Sequence, residues 1–228
     1  MIEVKNLSKR FDSLIILDNV SFSILDARLI VVLGPSGTGK TVLLKSMIGL
    51  MPVDSGEVIF DGKSLKSATP TEIYEIRKEI GFVFQGTALF DSMNVAENVS
   101  LPMSEHTSAS SREIKKRVTE ILEIVGMSGK ECLYPQALSG GMKRLVAVGR
   151  ALVLDPKYLF YDEPTTGLDP MMRDQVVNLI INLKKSYAKS GIVVTHDLDT
   201  ARAVGDEIYM LKNGKISKLK KIKKELYG

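Results

Sequence analysis

A glycine-rich segment, residues 34–41 (GPSGTGKT), has the composition and spacing of a phosphate-binding loop. Glycine lacks a β-carbon, so the backbone can adopt positive φ angles and direct consecutive N–H groups at one anion. Lys40 adds a positive charge for the β- and γ-phosphates, and the hydroxyl of Thr41 is suited to ligate Mg²⁺. The positions predicted to hold the nucleotide in this segment are Gly34, Pro35, Ser36, Gly37, Thr38, Gly39, Lys40 and Thr41.

Two carboxylates follow a second apolar segment. Residues 158–161 (YLFY) predict a buried strand, and Asp162 and Glu163 come directly after it. An acidic residue at the end of such a strand can meet the Mg²⁺ of a nucleotide bound by the loop. We therefore predict that Asp162 lies on the metal and that Glu163 is the general base for the attacking water.

A serine followed by two glycines, in residues 138–142 (LSGGM), opens a predicted helix. The free N–H groups at such a helix start form an anion site. The chain then carries two phosphate sites but only one loop with a lysine. The simplest arrangement places Ser139, Gly140, Gly141 and Met142 against a nucleotide held by another subunit, so that two chains enclose two nucleotides head to tail.

Strand and helix patterns surround these motifs in a definite order. Residues 29–33 predict a buried strand entering the loop, and residues 41–49 predict a helix leaving it. The strand-rich opening, residues 2–24, predicts an antiparallel sheet, and 55–60 predicts a strand before the Asp61-Gly62 turn. Further strands are predicted at 80–84, 192–195, 207–211 and 215–219, and a helix at 170–187.

Helical periodicity dominates the middle of the chain. Helices are predicted at 94–100 and 110–126, the second with a capping box at Ser110 and Glu113, and a polar loop at 104–111 separates them. The predicted fold class is α/β: a P-loop NTPase core with an antiparallel β subdomain and an inserted helical subdomain. The core comprises residues 1–85 and 156–228, and the helical subdomain comprises residues 86–155.

Composition narrows the class of protein. The chain has 228 residues, 44% hydrophobic and 25% charged, which is globular, and no apolar run approaches the roughly 18 residues of a membrane span. The start of the chain lacks signal-peptide character, so the protein is expected to stay where it is made. The single cysteine, Cys132, excludes an internal disulfide, and a buried or half-buried thiol is expected.

The net charge of +4 arises from a lysine-rich end. Solvated side chains are the commoner outcome for such a run, and contact with anionic lipid or RNA is the alternative. The lysines of this basic tail are Lys212, Lys215, Lys218, Lys220, Lys221, Lys223 and Lys224.

Taken in order, the motifs resemble those of the ATPase subunits of ABC transporters over nearly the whole chain. Residues 34–41 resemble Walker A, and residues 138–142 resemble the signature sequence. The resemblance implies that the ligand is ATP with Mg²⁺, and that Lys40, Glu163 and His196 are catalytic. His196, after residues 192–195 (IVVT), takes the position of the switch histidine that senses the γ-phosphate.

The same resemblance assigns the remaining site residues. Gln85 is implied as the Q-loop glutamine, near nucleotide and metal, Asp162 as the Walker B aspartate and Asp169 as part of the D-loop facing the partner subunit. Phe11 takes the position of the aromatic ring that stacks on adenine. From its residue type and place alone, packing of Phe11 in the core is the alternative.

Two departures from the commonest ABC pattern point to a subfamily. Met142 replaces the usual glutamine of the signature, and residues 84–99 (FQGTALFDSMNVAENV), with Leu101-Pro102 and residues 105–107 (EHT), resemble the Mla/Mce-type lipid transport ATPases. His106, in this polar stretch, is expected to be solvent-exposed. Unlike many members of that subfamily, the chain shows no long extension after its lysine-rich end, so no regulatory subunit is expected.

That resemblance implies ATP-driven phospholipid movement between bacterial membranes. The implied partners are a second copy of the chain in a homodimer, an integral membrane permease and an Mce-domain lipid-binding protein, with no nucleic acid. The implied location is peripheral, on the cytoplasmic side of the inner membrane. An ABC ATPase for amino acids, metals or drugs is the first alternative, and a soluble non-transport ABC ATPase is the second.

Overall fold

Two sheets and seven α-helices make up the computed structural model, which describes residues 1–219. The strands are β1 (Ile2–Phe11), β2 (Leu14–Ile24), β3 (Leu29–Leu33), β4 (Ser55–Phe60), β5 (Lys63–Ser64), β6 (Ile80–Val83), β7 (Tyr158–Asp162), β8 (Ser190–Thr195), β9 (Glu207–Lys212) and β10 (Lys215–Lys218). The helices are α1 (Lys40–Met47), α2 (Pro70–Lys78), α3 (Val95–His106), α4 (Ser111–Ile124), α5 (Gly140–Leu152), α6 (Pro170–Tyr187) and α7 (Leu198–Val204), with a short 3₁₀ helix at Pro135–Ala137.

The central sheet has six strands in the order β10-β9-β3-β8-β7-β6. All neighbours in it are parallel except β10 and β9, which form an antiparallel hairpin. Successive residues of a strand face opposite sides of a sheet, so Val31 and Val32 enter different cores. Val31 packs with α3 to α7, and Val32 packs with α1 and the second sheet. Both faces are covered, which explains why β3, β7 and β8 are buried throughout.

The second sheet has four strands in the order β2-β1-β4-β5, and its pairs are antiparallel. The predictions of an antiparallel opening and of a strand at 55–60 are therefore confirmed. The predicted strands at 29–33, 158–161, 192–195 and 207–211, and the helix at 170–187, are confirmed as well. The fold class predicted from the sequence, α/β with an added antiparallel sheet, holds.

Helices are the regular elements between β6 and β7 in the described chain. The capping box predicted for α4 is present, since the hydroxyl of Ser110 accepts from the N–H of Glu113 and the carboxylate of Glu113 accepts from the N–H of Ser110. The predicted loop at 104–111 is wrong at its start, because α3 continues to His106. Met103 packs against the core and anchors the last turn of α3. The polar residues of that turn can therefore face solvent.

The sequence pattern did not predict α2 and α7. Both are short, with nine and seven residues, so neither has the long apolar stripe that identifies a helix. A local signal for α2 was present, since Thr69 and Glu72 form a capping box around Pro70 at the first helical position.

Cys132 corrects another expectation. The thiol was expected to be buried or half-buried, but the residue is exposed. It lies in the connection between α4 and the 3₁₀ helix, where Met127 and Pro135 supply the buried side chains. Neighbouring apolar side chains therefore fill the core, and the cysteine is not needed there.

The lysine-rich end is described only in part. Lys212, Lys215 and Lys218 are exposed, as expected for solvated side chains, and Lys218 pairs with Glu207 at 2.7 Å. Lys220, Lys221, Lys223 and Lys224 lie outside the described residues. Within residues 1–219, none of the helices combines the length and the apolar composition that crossing a bilayer requires.

A glycine in the central sheet provides a stability test. Gly191 in β8 lies between Leu29 of β3 and Leu159 of β7, and an added β-carbon would overlap the carbonyl oxygen of Leu159. We expect Gly191→Ala to lower the free energy of unfolding by about 3 kcal/mol, because two backbones must separate. The melting temperature should fall by roughly 10 °C. Gly86→Ala, where no atom lies within 4 Å of the new carbon, is the matched control; equal melting temperatures would contradict the prediction.

Candidate active site

The candidate residues converge because three of their strands are parallel neighbours. In the register of β3, β8 and β7, Leu33 lies opposite Thr195, and Asp162 lies opposite Val194. The glycine-rich loop, His196 and Glu163 each follow one of these strands directly. Carboxyl ends of parallel strands meet at one edge of a sheet, which is where open α/β sheets bind ligands.

The glycine-rich loop is closed by its own lysine. Lys40 is 6% exposed, and its Nζ donates to the carbonyl oxygens of Gly34 at 2.7 Å and Pro35 at 3.0 Å. Gly39 precedes α1 with a φ of 97°, and a β-carbon there would lie 2.5 Å from the side chain of Ile16. Only glycine fits this position, so the tight wrap of the loop around one point follows from residue type.

A cavity of about 260 Å³ opens above this loop. Its walls bring together residues that are far apart in sequence: the loop, the start of α1, Gln85 and Glu163. The lining residues are Ile16, Ser36, Gly37, Gly39, Lys40, Thr41, Val42, Gln85 and Glu163. The structure therefore gathers the loop, the glutamine and the carboxylate that the sequence predicted separately.

Thr41 and Asp162 face each other at this site. The hydroxyl of Thr41 donates to Oδ1 of Asp162 at 3.1 Å. Burial raises the pKa of Asp162, the hydrogen bond from Thr41 lowers it, the negative charge of Glu163 raises it, and the net shift is upward. Gln85 lines the cavity together with Thr41, so the available donors are a hydroxyl, a carboxylate and an amide, the hard oxygen ligands that Mg²⁺ prefers. These residues fit a magnesium ion.

The carboxylate of Glu163 is 8% exposed and fully engaged. Oε1 lies 3.2 Å from Nζ of Lys40, and Oε2 lies 2.9 Å from Nδ1 of His196. Oε2 also accepts from the hydroxyls of Thr166 at 2.9 Å and Thr195 at 3.2 Å. Burial alone would raise the pKa of Glu163, but the Thr166 hydrogen bond and the Lys40 charge outweigh it, and the net shift is downward.

The two adjacent carboxylates therefore have pKa values shifted in opposite directions, Asp162 upward and Glu163 downward. Glu163 also holds a left-handed φ of 48°, while its N–H donates to the carbonyl of Val194 at 2.9 Å. A non-glycine residue at such an angle costs on the order of 1 kcal/mol, and such strain concentrates at functional sites. The strand pairing of β7 with β8 maintains it here.

Several predicted residues lie outside the cavity lining. Ser139 accepts from the N–H of Met142 at 3.2 Å and caps α5, and Asp169 caps α6 in the same way at 3.0 Å. Ser139 and Gly140 are exposed, as expected for a turn that faces another molecule. Phe11 is 44% exposed, so core packing is excluded for it. The ammonium of Lys9 lies 5.3 Å from its ring centroid, and adenine stacking stays a prediction.

Sequence reasoning missed two hydroxyls and two arginines of this region. Thr166 and Thr195 bind Glu163, and their signal was their position three residues after Glu163 and directly before His196. Arg144 and Arg150 on α5 bind backbone carbonyls next to Gln85. Nothing in the sequence pattern indicated these contacts.

Comparisons with known proteins agree with this geometry. The profile of the family described as ABC transporter matches residues 17–166. The chain is 42% identical over 92% of its length to the probable ribonucleotide transport ATP-binding protein mkl of Mycobacterium tuberculosis (strain H37Rv), of which it spans 58%. It is 38% identical over 95% of its length to the intermembrane phospholipid transport system ATP-binding protein MlaF of Haemophilus influenzae, of which it spans 82%. The chain thus spans less than two thirds of the mycobacterial relatives.

Solved structures share the fold over nearly the whole chain. A dimeric structure of a bacterial ABC transporter cassette is 32% identical with a TM-score of 0.87, covering 97% of this chain and 100% of that one. A dimeric post-hydrolysis state of an ATP-binding cassette, bound to ADP and Pi, has a TM-score of 0.86 at the same identity and coverage.

Proposed function

The chain belongs to the ABC transporter family, and on that premise we propose that it is the ATP-hydrolysing subunit of a transporter that moves phospholipid between bacterial membranes. The observation that supports ATP hydrolysis is the cluster of Lys40, Thr41, Asp162, Glu163 and His196 at one sheet edge. It holds a cation for the γ-phosphate, oxygen ligands for a metal and a carboxylate that can take a proton from water.

Each group has a separate role. Mg²⁺ held by Thr41, Gln85 and Asp162 would neutralise charge on the β- and γ-phosphates. Lys40 and His196 bind the γ-phosphate oxygens. These are the same two side chains that contact Glu163 in the structure, so the phosphate and Glu163 share them. A carboxylate oxygen of Glu163 then accepts a proton from the attacking water. Catalysis is mostly positioning and electrostatic stabilisation.

We further propose that two chains enclose two nucleotides head to tail. The exposed turn at Ser139 and Gly140 lies outside the chain's own cavity lining, and the N–H groups at the start of α5 suit a phosphate supplied by a neighbour. Asp169 at the start of α6 belongs to the same contact. The cassette structures similar to this chain are dimers, which supports the arrangement.

A complementation experiment tests the shared site. Ser139→Arg should block the partner's nucleotide, and Lys40→Ala should disable the chain's own loop, so each homodimer should be inactive. Mixed dimers of the two variants retain one complete site, made by the loop of one chain and the turn of the other. We expect phosphate release by the mixture at up to roughly half the wild-type rate per dimer. Ser139→Asn, which preserves the helix cap, is the control; an inactive mixture of folded dimers would refute the shared site.

The substrate proposal favours phospholipid. The chain spans 82% of the MlaF sequence, including residues 84–107 with their subfamily-like pattern. The relatives named for ribonucleotide transport are more identical, at 42%, and they make ribonucleotide the second candidate. The names of the relatives therefore disagree on substrate.

Purification of the native complex separates these candidates. A phospholipid transporter should co-purify with a permease, an Mce-domain protein and bound phospholipid, and its ATPase should drive lipid transfer between labelled vesicles. Ribonucleotide transport would instead appear as ATP-dependent uptake of labelled ribonucleotide by vesicles carrying the complex. Transfer of lipid without any dependence on ATP would contradict the phospholipid proposal.

A groove between β6, α3 and α5 is the proposed contact for the permease. Its volume is about 370 Å³, and Phe82, Phe84, Leu101 and Pro102 are among its walls. Phe90, also in the wall, is 50% exposed. Partly buried apolar side chains beside an exposed phenylalanine in a concave surface suit an apolar partner segment. This contact would place the chain peripherally on the cytoplasmic side of the inner membrane, with residues 86–155 as the helical subdomain that moves with the permease.

A further inference from the structure

Two arginines of α5 hold the segment that carries Gln85. Arg144 donates from Nη1 to the carbonyl of Phe84 at 2.7 Å, on one side of the glutamine. Arg150 donates from Nη1 to the carbonyl of Ala88 at 2.6 Å and from Nη2 to that of Thr87 at 2.8 Å, on the other side. The helix that begins at the serine-glycine turn is thus bonded to both ends of the glutamine loop, residues 84–88.

The glutamine loop has an unfavourable backbone conformation. Thr87 and Ala88 both have left-handed φ angles, of 59° and 51°, and a β-branched residue such as threonine rarely adopts this region. Within the loop, the N–H of Thr87 donates to Phe84 at 3.1 Å. Strained conformations persist only where surrounding contacts determine them. The guanidinium of Arg150, which binds both strained residues, is such a contact.

Burial of Arg144 argues against a simple packing role. Arg144 is 4% exposed, and within residues 1–219 its Nε has no hydrogen-bond partner. Burial lowers the pKa of both guanidinium groups, and only for Arg144 does the charge of Asp162 oppose the shift. A buried cation is costly, and an apolar side chain of similar size would pack without that cost.

We infer that Arg144 and Arg150 are positioning residues that fix Gln85 relative to the Ser139 turn at the start of α5. This inference rests on the proposed function, because Gln85 lines the nucleotide cavity and is a proposed magnesium ligand. Arg150 and Ala88 also line the groove proposed for the permease. One pair of guanidinium groups therefore connects the nucleotide cavity, the turn that faces the partner chain and the permease contact.

A double-mutant cycle tests whether the arginines act through Gln85. Arg150→Lys keeps the charge but loses the planar fork that reaches the two carbonyls from two separate nitrogen atoms. We expect it to lower kcat for Mg-ATP roughly tenfold in the wild-type background, because small displacements of a positioning group are costly. In the Gln85→Ala background, the same change should lower kcat less than about twofold. Arg144→Met should behave alike. Equal factors in both backgrounds would overturn the inference.

Arg117 provides a matched control. It lies on α4 and donates to two backbone carbonyls, those of Leu152 and Val153 at 3.3 Å and 3.1 Å, but at the other end of α5. Arg117→Lys should lower the melting temperature about as much as Arg150→Lys. Its effect on kcat should be small and should not depend on Gln85. A kcat effect of Arg117→Lys as large as that of Arg150→Lys, and equally dependent on Gln85, would overturn the inference, because the coupling would then not be specific to the arginines that hold the loop.

Hydrogen exchange supplies a readout that does not require turnover. The amides of residues 85–90 should exchange at least about fivefold faster in Arg150→Lys and Arg144→Met than in the wild type or in Arg117→Lys, since the loop opens locally more often. Unchanged exchange in folded variants would refute the inference. Faster exchange in a protein that releases no phosphate from Mg-ATP would refute the proposed function and leave the loop contacts supported.

Discussion

Glu163→Gln is expected to lower ATP hydrolysis about a thousandfold while ATP binding persists. The amide cannot accept the proton of the attacking water, but it has nearly the shape of the carboxylate that contacts Lys40 and His196. Loss of the negative charge also leaves Lys40 free of competition for the γ-phosphate. Phosphate release, ATP affinity and the elution volume with Mg-ATP measure the three consequences: slow turnover, retained binding and accumulation of dimer.

Glu75→Gln is the matched control for this change. Glu75 lies on α2 with 58% of its side chain exposed, and within residues 1–219 its ion-pair partner is Lys78, at 3.1 Å. Its substitution should leave turnover within about twofold of the wild type, because exposed pairs contribute little. Turnover by Glu163→Gln within tenfold of the wild type would remove Glu163 from the role of general base.

Lys40→Ala is expected to weaken Mg-ATP binding at least about a hundredfold and to abolish measurable hydrolysis. The change removes the cation for the γ-phosphate and the Nζ that closes the loop onto Gly34 and Pro35. It also leaves the carboxylate of Glu163, 8% exposed, without the lysine that it pairs with. Nucleotide titration and phosphate release test the first two effects, and unfolding as a function of pH tests the third.

The pH dependence has a definite sign. In the wild type, the pKa of Glu163 is lowered, so its stabilising contribution is present above the unfolded value of about 4.3 and is lost as the pH falls through the lower folded value. Without Lys40, burial is less opposed and the folded pKa rises. The variant then gains stability relative to the wild type as the pH falls, so the difference in unfolding free energy should shrink as the pH falls through the raised pKa of Glu163 in the variant towards its lower pKa in the wild type. A constant difference would argue against the ion pair.

Lys184 offers the matched control for Lys40. It is another mostly buried lysine, 15% exposed in its side chain, and it binds the carbonyl of Val204 and the carboxylate of Asp206, both at 3.1 Å. Lys184→Ala should cost a similar amount of stability, because it too removes a lysine from a mostly buried carboxylate, and the cation that remains, Arg28, lies farther away at 3.6 Å. Nucleotide affinity should not change. Equal loss of affinity in both variants would indicate that unfolding, and not the site, explains Lys40→Ala.

Elements whose residue pattern depends on near neighbours in the chain could be predicted from the sequence. The apolar run of β3, the glycine spacing after it and the helix leaving Lys40 each depend on neighbours in sequence, so their order identifies a phosphate loop without coordinates. The same holds for Asp162 at the end of β7 and for the capping box of α4. Helix α2 and the last turn of α3 lack an apolar stripe, and pattern reasoning missed them.

Contacts between distant residues were not predictable from pattern. The exposure of Cys132 depended on which neighbours filled the core, and nothing local distinguished the two outcomes. Arg144 and Arg150 fall within an ordinary amphipathic helix, and their acceptors lie about 60 residues away, at separations of 60, 62 and 63. The packing of α5 across the end of β6 determines which backbone carbonyls these arginines bind.

By itself, the sequence determined which residues carry charge, hydroxyl groups and conformational freedom, and the order in which strand, loop and helix must alternate, because these follow from residue type and local spacing. Only the tertiary structure decided that Glu163 pairs with Lys40 and His196, that Thr41 meets Asp162 and that Gln85 is held by two arginines. The reason is physical: the register of parallel strands is set by helices that cross between them and by burial on both faces, and neither is encoded within a short stretch of chain.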